Sequence, residues 1–152
     1  MQATETIPSF TRANPPRTAP SIFEFERQGD TLIVTPTCAL PEFVFQQIEQ
    51  GGEEILRLLE QTATKHLVFD FQKSNYFGST ALGYFVKLWK RLRRRDGRMS
   101  FCNVSAHGRE ILRITNLDRL WPIYPSKAEA LQTVHALIGL KPSEGWHGEK
   151  KG

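Results

Sequence analysis

Phe69-Asp70-Phe71-Gln72-Lys73-Ser74-Asn75-Tyr76-Phe77-Gly78-Ser79-Thr80-Ala81-Leu82-Gly83 joins the end of an apolar strand, through a polar loop, to the start of a long amphipathic helix. Gly78 and two adjacent hydroxyl residues, Ser79 and Thr80, stand at the corner, so Ser79 is expected at or near the N-cap. There the first backbone N–H groups lack intrahelical partners and the macrodipole favours negative charge. A hydroxyl in this place either caps the helix, contributing about 1 kcal/mol, or accepts a phosphoryl group on an exposed turn. The residues leave both readings open. They suggest a corner whose chemical state another protein can read, in a binding module and not an enzyme.

Upstream, His66-Leu67-Val68-Phe69 is a short apolar run of buried-strand type, with Asp70 at its end. Downstream, Leu82, Phe85, Val86, Trp89 and Leu92 recur at helical spacing, and Lys87, Lys90, Arg91, Arg94 and Arg95 fall largely on the other side. Gly97 is expected as the C′ residue. Met99 to Val104 reads as the next strand, Ser105 opens a short helix through Ile111, Leu112 and Ile114, and Leu117 to Leu120 form a turn. Trp121 to Tyr124 is a short extended piece that Pro122 assigns to an edge. Ser126-Lys127-Ala128-Glu129 is a capping box before a helix with Ala128, Leu131, Val134 and Leu137 on its apolar stripe, stopped by Gly139 and Pro142.

Nearer the N-terminus, Phe23 to Arg27 alternates, Gly29-Asp30 turns, and Leu32-Ile33-Val34 completes a β-hairpin. Pro36 to Pro41 breaks the pattern. Phe43, Val44, Phe45 and Ile48 begin a helix that Gly51-Gly52 is expected to interrupt. Glu53-Glu54 then restarts it, with Ile55, Leu56, Leu58 and Leu59 as the buried face. Strands alternating with helices place the chain in the α/β or α+β class. The expected organisation is a flexible arm over residues 1–20, a domain over 21–140 and a polar tail over 141–152.

A length of 152 residues suits one core, and 39% hydrophobic with 24% charged residues suits a soluble chain. No apolar run is long enough to span a bilayer and no secretory signature opens the chain, so no membrane partner and a cytoplasmic location are expected. Cys38 and Cys102 have no zinc or disulfide spacing and are expected as reduced thiols. His66, His107, His135 and His147 show no ligand spacing, and neither metal nor cofactor is expected.

The net charge of +4 sits largely in one helix and in Lys150-Lys151. Without aromatic interleaving the basic run reads as a solvated helix face, or as a rim that steers an acidic partner, and not as a nucleic-acid surface. Trp89 and Trp121 are expected in packing, and Trp146 in the exposed tail. Asp70 is expected as a strand-end carboxylate hydrogen-bonded to loop N–H groups rather than as a catalytic acid.

The corner from Leu67 to Gly83 resembles the signature of STAS domains, the family of bacterial anti-sigma-factor antagonists. Arg95-Asp96-Gly97-Arg98-Met99, Ile114 to Leu120, and Ile123-Tyr124-Pro125-Ser126 through Leu131 resemble later family segments in the same order, so the match covers roughly Ile22 to Ile138. The resemblance implies a STAS-like mixed β-sheet of four to five strands covered by about four helices on one side. It also implies binding to an anti-sigma factor that is a Ser/Thr kinase, which phosphorylates the corner, and a cognate phosphatase that reverses the step. By position the acceptor is Ser79, with Thr80 as the alternative, and partner contacts are expected at Asn75, Tyr76, Gly78, Ser79, Thr80, Lys87 and Arg91.

Gly78 stands where the family carries Asp and Ala81 where it carries Gly, and no acid is evident in Val34-Thr35-Pro36-Thr37-Cys38 between the second strand and first helix. Two other readings follow: a non-phosphorylated STAS scaffold in a larger signalling complex, and a small-nucleotide-binding STAS domain. Homodimer formation is left open.

Overall fold

The two-residue turn at Gly29-Asp30, with Gly29 at φ +61, closes an antiparallel hairpin of β1 (Phe23–Gln28) and β2 (Thr31–Pro36). A side chain is strained at that φ, which is why glycine occupies it. The structure is a computed structural model, and it describes residues 21–138. The expectations for residues 1–20, for Gly139, Pro142 and the tail, and for the side chains of His135 and Leu137 lie outside the described residues.

From β2 the sheet continues in parallel through β3 (His66–Asp70), β4 (Arg98–Cys102) and the short edge strand β5 (Ile123–Tyr124), in the order β1-β2-β3-β4-β5. A 3-10 turn over Glu42–Val44 leads into α1 (Phe45–Gln61). Next come α2 (Ser79–Arg93), α3 (Ala106–Ile114), a 3-10 turn at Leu117–Arg119, and α4 (Lys127–Ile138). The five strands and four α-helices of the described residues give the expected mixed-sheet α/β class.

The helices do not all lie on one side, which corrects the expected arrangement. Leu32, Val34, Leu67, Phe69, Met99 and Phe101 share one core with α1, α2 and α3. The alternate strand residues Ile33, Val68 and Cys102 pack with Ala130 and Val134 of α4 in a second core. Successive strand residues point to opposite faces, so the two clusters lie on the two faces of the sheet.

Two further corrections concern glycines. The helix α1 is not interrupted at Gly51-Gly52. A Cβ on Gly51 would lie 2.1 Å from the Phe23 ring and one on Gly52 2.4 Å from the Tyr84 ring. The pair is therefore the contact surface through which a continuous helix approaches β1 and α2, and packing overrides the low helix propensity. At the end of α2 the left-handed residue is Asp96, at φ 60, and not Gly97. Gly97 donates to the Leu92 carbonyl and is needed for space, because a Cβ there would lie 2.7 Å from the Lys65 carbonyl oxygen.

The corner before α2 is fixed from beneath by aromatic rings. Phe71 and Phe77 are buried with centroids 5.2 Å apart, and Phe77 meets Phe85 of α2 edge-on at 5.6 Å. Phe85 in turn meets Phe69 at 4.9 Å, and Phe101 stacks on Trp121 at 5.1 Å. Each buried Phe contributes roughly 1.5–3 kcal/mol of transfer free energy, so the strand end and the first turn of α2 are held as one body. Trp121 is fully buried, as expected, and Trp89 lies partly buried against it.

Candidate functional site

A short parallel bridge between Leu40 and Phe77 builds the site. Leu40 N–H donates to the Tyr76 carbonyl at 2.8 Å, and Gly78 N–H donates to the Leu40 carbonyl at 2.9 Å. That register carries Pro41 and Glu42 to the start of α2. The Glu42 carboxylate then does what a side-chain cap would do. Its Oε2 accepts from the Ser79 backbone N–H and, at 3.0 Å, from the Ser79 hydroxyl. Its Oε1 accepts from the Thr80 hydroxyl at 2.8 Å and from the Thr80 N–H at 3.4 Å.

The N-cap residue is Gly78, in extended conformation and without a side-chain cap, and Ser79 is the first helical residue. Ser79 therefore does not cap the helix through its own hydroxyl. Its side chain is exposed and that of Thr80 half-buried. The Thr80 hydroxyl, followed by the Ser79 N–H and hydroxyl, holds the Glu42 carboxyl below its ordinary value of 4.5. Position 78 must be small for this to happen, because a Cβ on Gly78 would lie 2.1 Å from Glu42 Oε2. The carboxylate at this corner comes from Glu42, beyond the Val34–Cys38 stretch in which no acid is evident.

The other expected contact residues divide. Asn75 is exposed and its carbonyl accepts from the Ser105 hydroxyl at 3.0 Å, tying the loop to the start of α3. The Tyr76 ring stacks on His107 at 5.2 Å with an interplanar angle of 18°. Both stand beside the hydroxyl pair. Lys87 and Arg91 do not. They sit two and three turns along α2 and reach across to α1, Lys87 to Glu53 at 3.5 Å and Arg91 to Glu60. Two apolar residues expected to begin a helix are exposed where the chain leaves Glu42. Phe43, next to Glu42, is 83% exposed, and Phe45 is 49% exposed. Only the proximity of Pro41 marks them in sequence, since an apolar residue at a helix start ordinarily reads as buried face.

Asp70 is fully buried and accepts from the Gln72 N–H at 3.1 Å, Gln72 Nε2 at 2.9 Å and Asn103 Nδ2 at 2.9 Å. It orders the loops that follow β3 and β4. Burial, then the neighbouring Asp70, pushes the Cys102 thiol up to about 12, so it stays protonated. Cys38 and Cys102 are free thiols. Among the described residues no group of three or more His, Cys, Asp or Glu side chains is placed to hold a metal ion. No helix there is long and apolar enough to cross a membrane.

These features define a single-sheet α/β domain that presents a hydroxyl pair on its surface at a strand-to-helix corner. The chain belongs to the STAS domain family, whose model matches residues 23–130. It is 22% identical over 108 residues to the anti-sigma F factor antagonist of Paenibacillus polymyxa, covering 71% of this chain and 90% of that protein. The anti-sigma-factor antagonist SpoIIAA in its unphosphorylated form superposes with a TM-score of 0.66 at 19% identity, covering 75% of this chain and 96% of that one. An anti-sigma-factor antagonist (STAS) domain protein of Planctomyces limnophilus gives 0.63 at 25% identity, covering 72% and 95%.

Proposed function

We propose that the chain is a cytoplasmic anti-sigma-factor antagonist that docks on an anti-sigma Ser/Thr kinase through the corner at the start of α2, without catalytic activity of its own. In this reading the kinase transfers the γ-phosphoryl group of ATP to Ser79 Oγ, the hydroxyl proton is lost and ADP leaves, and a phosphatase hydrolyses the ester again. Thr80 is the alternative acceptor. The added charge of about −2 weakens the docked complex by repulsion and by the cost of desolvation.

The observation that carries this reading is the exposed Ser79 hydroxyl on the first turn of α2. The exposed Phe43 and Phe45 supply apolar contact area beside it, the kind of surface that binding buries. The anti-sigma F factor antagonist among the relatives, and SpoIIAA with its unphosphorylated and phosphorylated structures, lend it support. Incubation with the cognate kinase and ATP, followed by mass spectrometry, should find phosphate on the peptide from Asn75 to Lys87. An unmodified peptide overturns the switch.

One observation favours a second reading, a non-switching scaffold within the family. Both hydroxyls are already engaged by Glu42, so a chain that is never phosphorylated would lose nothing at this corner. Complex formation with the kinase that is the same with and without ATP would select it.

A further inference from the structure

We infer that Glu42 is a displaceable latch: a phosphate on Ser79 expels its carboxylate from the start of α2, and the Glu42–Val44 turn bearing Phe43 moves with it. The inference rests on Ser79 as the acceptor and describes how its modification would reach the docking surface.

Glu42 Oε2 lies 3.0 Å from Ser79 Oγ and accepts from the Ser79 N–H, so it occupies the space and the donors that an anion on that oxygen would take. A phosphate ester brings three acceptor oxygens and a charge of about −2 against one carboxylate. Both cannot use the same N–H groups at that spacing, and the more highly charged group, attached to α2 itself, gains more from the helix N-terminus. The loser is cheap to release. No residue of the Glu42–Val44 turn is fully buried, and Val44 alone packs part-buried against the core, so leaving costs little core contact.

Movement is bounded on both sides. Leu40 is fully buried and bridged to Tyr76 and Gly78, and Ile48 is buried one turn into α1. The segment free to respond is therefore Pro41 to about Gln47, and it contains Phe43 and Phe45. Lys73, the nearest cation of the loop, pairs with Glu24, so no basic side chain of the described loop is drawn to the corner to hold both anions together.

The test needs no kinase. The full chain is made with phosphoserine at position 79 by genetically encoded incorporation and compared by NMR with the unmodified chain and with Glu42→Ala. The backbone amides of Glu42 to Val44 should shift on phosphorylation towards their positions in Glu42→Ala, while those of Ile48 onward stay in place. The Glu42 carboxyl should at the same time titrate back in the ordinary glutamate range. Unchanged amides at 42–44 with an unchanged Glu42 titration overturn the latch. That result leaves the proposed function standing, and failure of the kinase to modify Ser79 in the earlier experiment leaves the latch result intact.

Discussion

Two oxygens of one exposed side chain satisfy two backbone and two hydroxyl donors at the start of α2, and they do so only while the carboxyl is ionised. Folding holds Glu42 below its ordinary value of 4.5, so the stabilisation is complete above that value and is lost as pH falls through the lowered one. The melting temperature of Glu42→Gln should lie below that of the natural chain at neutral pH, and the two should converge in acid. Scans from pH 7 down through the carboxylate range would check it. His66 acts with the same sign in a different window. Burial lowers its imidazole below the ordinary 6.5, so the neutral ring is favourable above 6.5 and stability falls as pH drops below it. Gly78→Ala should also lower the melting temperature, because its Cβ displaces the carboxylate, and the same substitution should do little in a Glu42→Ala background. Nothing in the sequence around Ser79 announces Glu42. Its role depends on a bridge between Leu40 and Phe77, two residues far apart in the chain.

At the scale of elements, most of the strands and helices were legible because their periodicity is set by which face is buried. The hairpin, the β3 run and the Leu82 to Leu92 stripe follow directly from alternation and helical spacing. The failures came where contact overrode propensity. Gly51 and Gly52 read as a break because a helix interior disfavours glycine, yet each sits against a ring that leaves no room for a methyl group. Gly51→Ala should therefore destabilise the fold by about 1–3 kcal/mol through overpacking against buried Phe23, in spite of its better propensity. Gly83, exposed on α2 with open space around its Cβ position, is the control. Gly83→Ala should stabilise by about 0.5–1 kcal/mol, so chemical denaturation of the two variants should give opposite signs. The placing of α4 was within reach. Contiguous apolar residues such as Ile33-Val34 and Leu67-Val68-Phe69 already require cover on both faces of the sheet.

At the scale of the whole molecule, the sheet buries one face under α1, α2 and α3 and the other under α4, which leaves few apolar side chains of the described residues for a partner. Phe43, Phe45 and Ile114 are the large apolar residues exposed among the described ones, and the first two follow Glu42, which bonds the hydroxyl corner. The basic face of α2 looks like a steering rim in sequence. In the fold Lys87 and Arg91 are matched by Glu53 and Glu60 of α1, so their part of that field is cancelled close to its source. Partner association should then depend more on apolar contact than on charge. Phe43→Ala should leave stability within about 0.5 kcal/mol, as exposed substitutions do. It should nevertheless weaken binding to the partner kinase roughly tenfold or more, the loss of about 1.4 kcal/mol typical of a contact that matters. Arg91→Glu turns a balanced pair with Glu60 into two like charges three turns from the corner, so the association rate at low salt should change little where the partner docks at the corner. Surface plasmon resonance on the two variants at two salt concentrations separates the alternatives. A large, salt-sensitive fall in association rate for Arg91→Glu beside an unaffected Phe43→Ala would move the docking surface off the corner and onto the flank of α2.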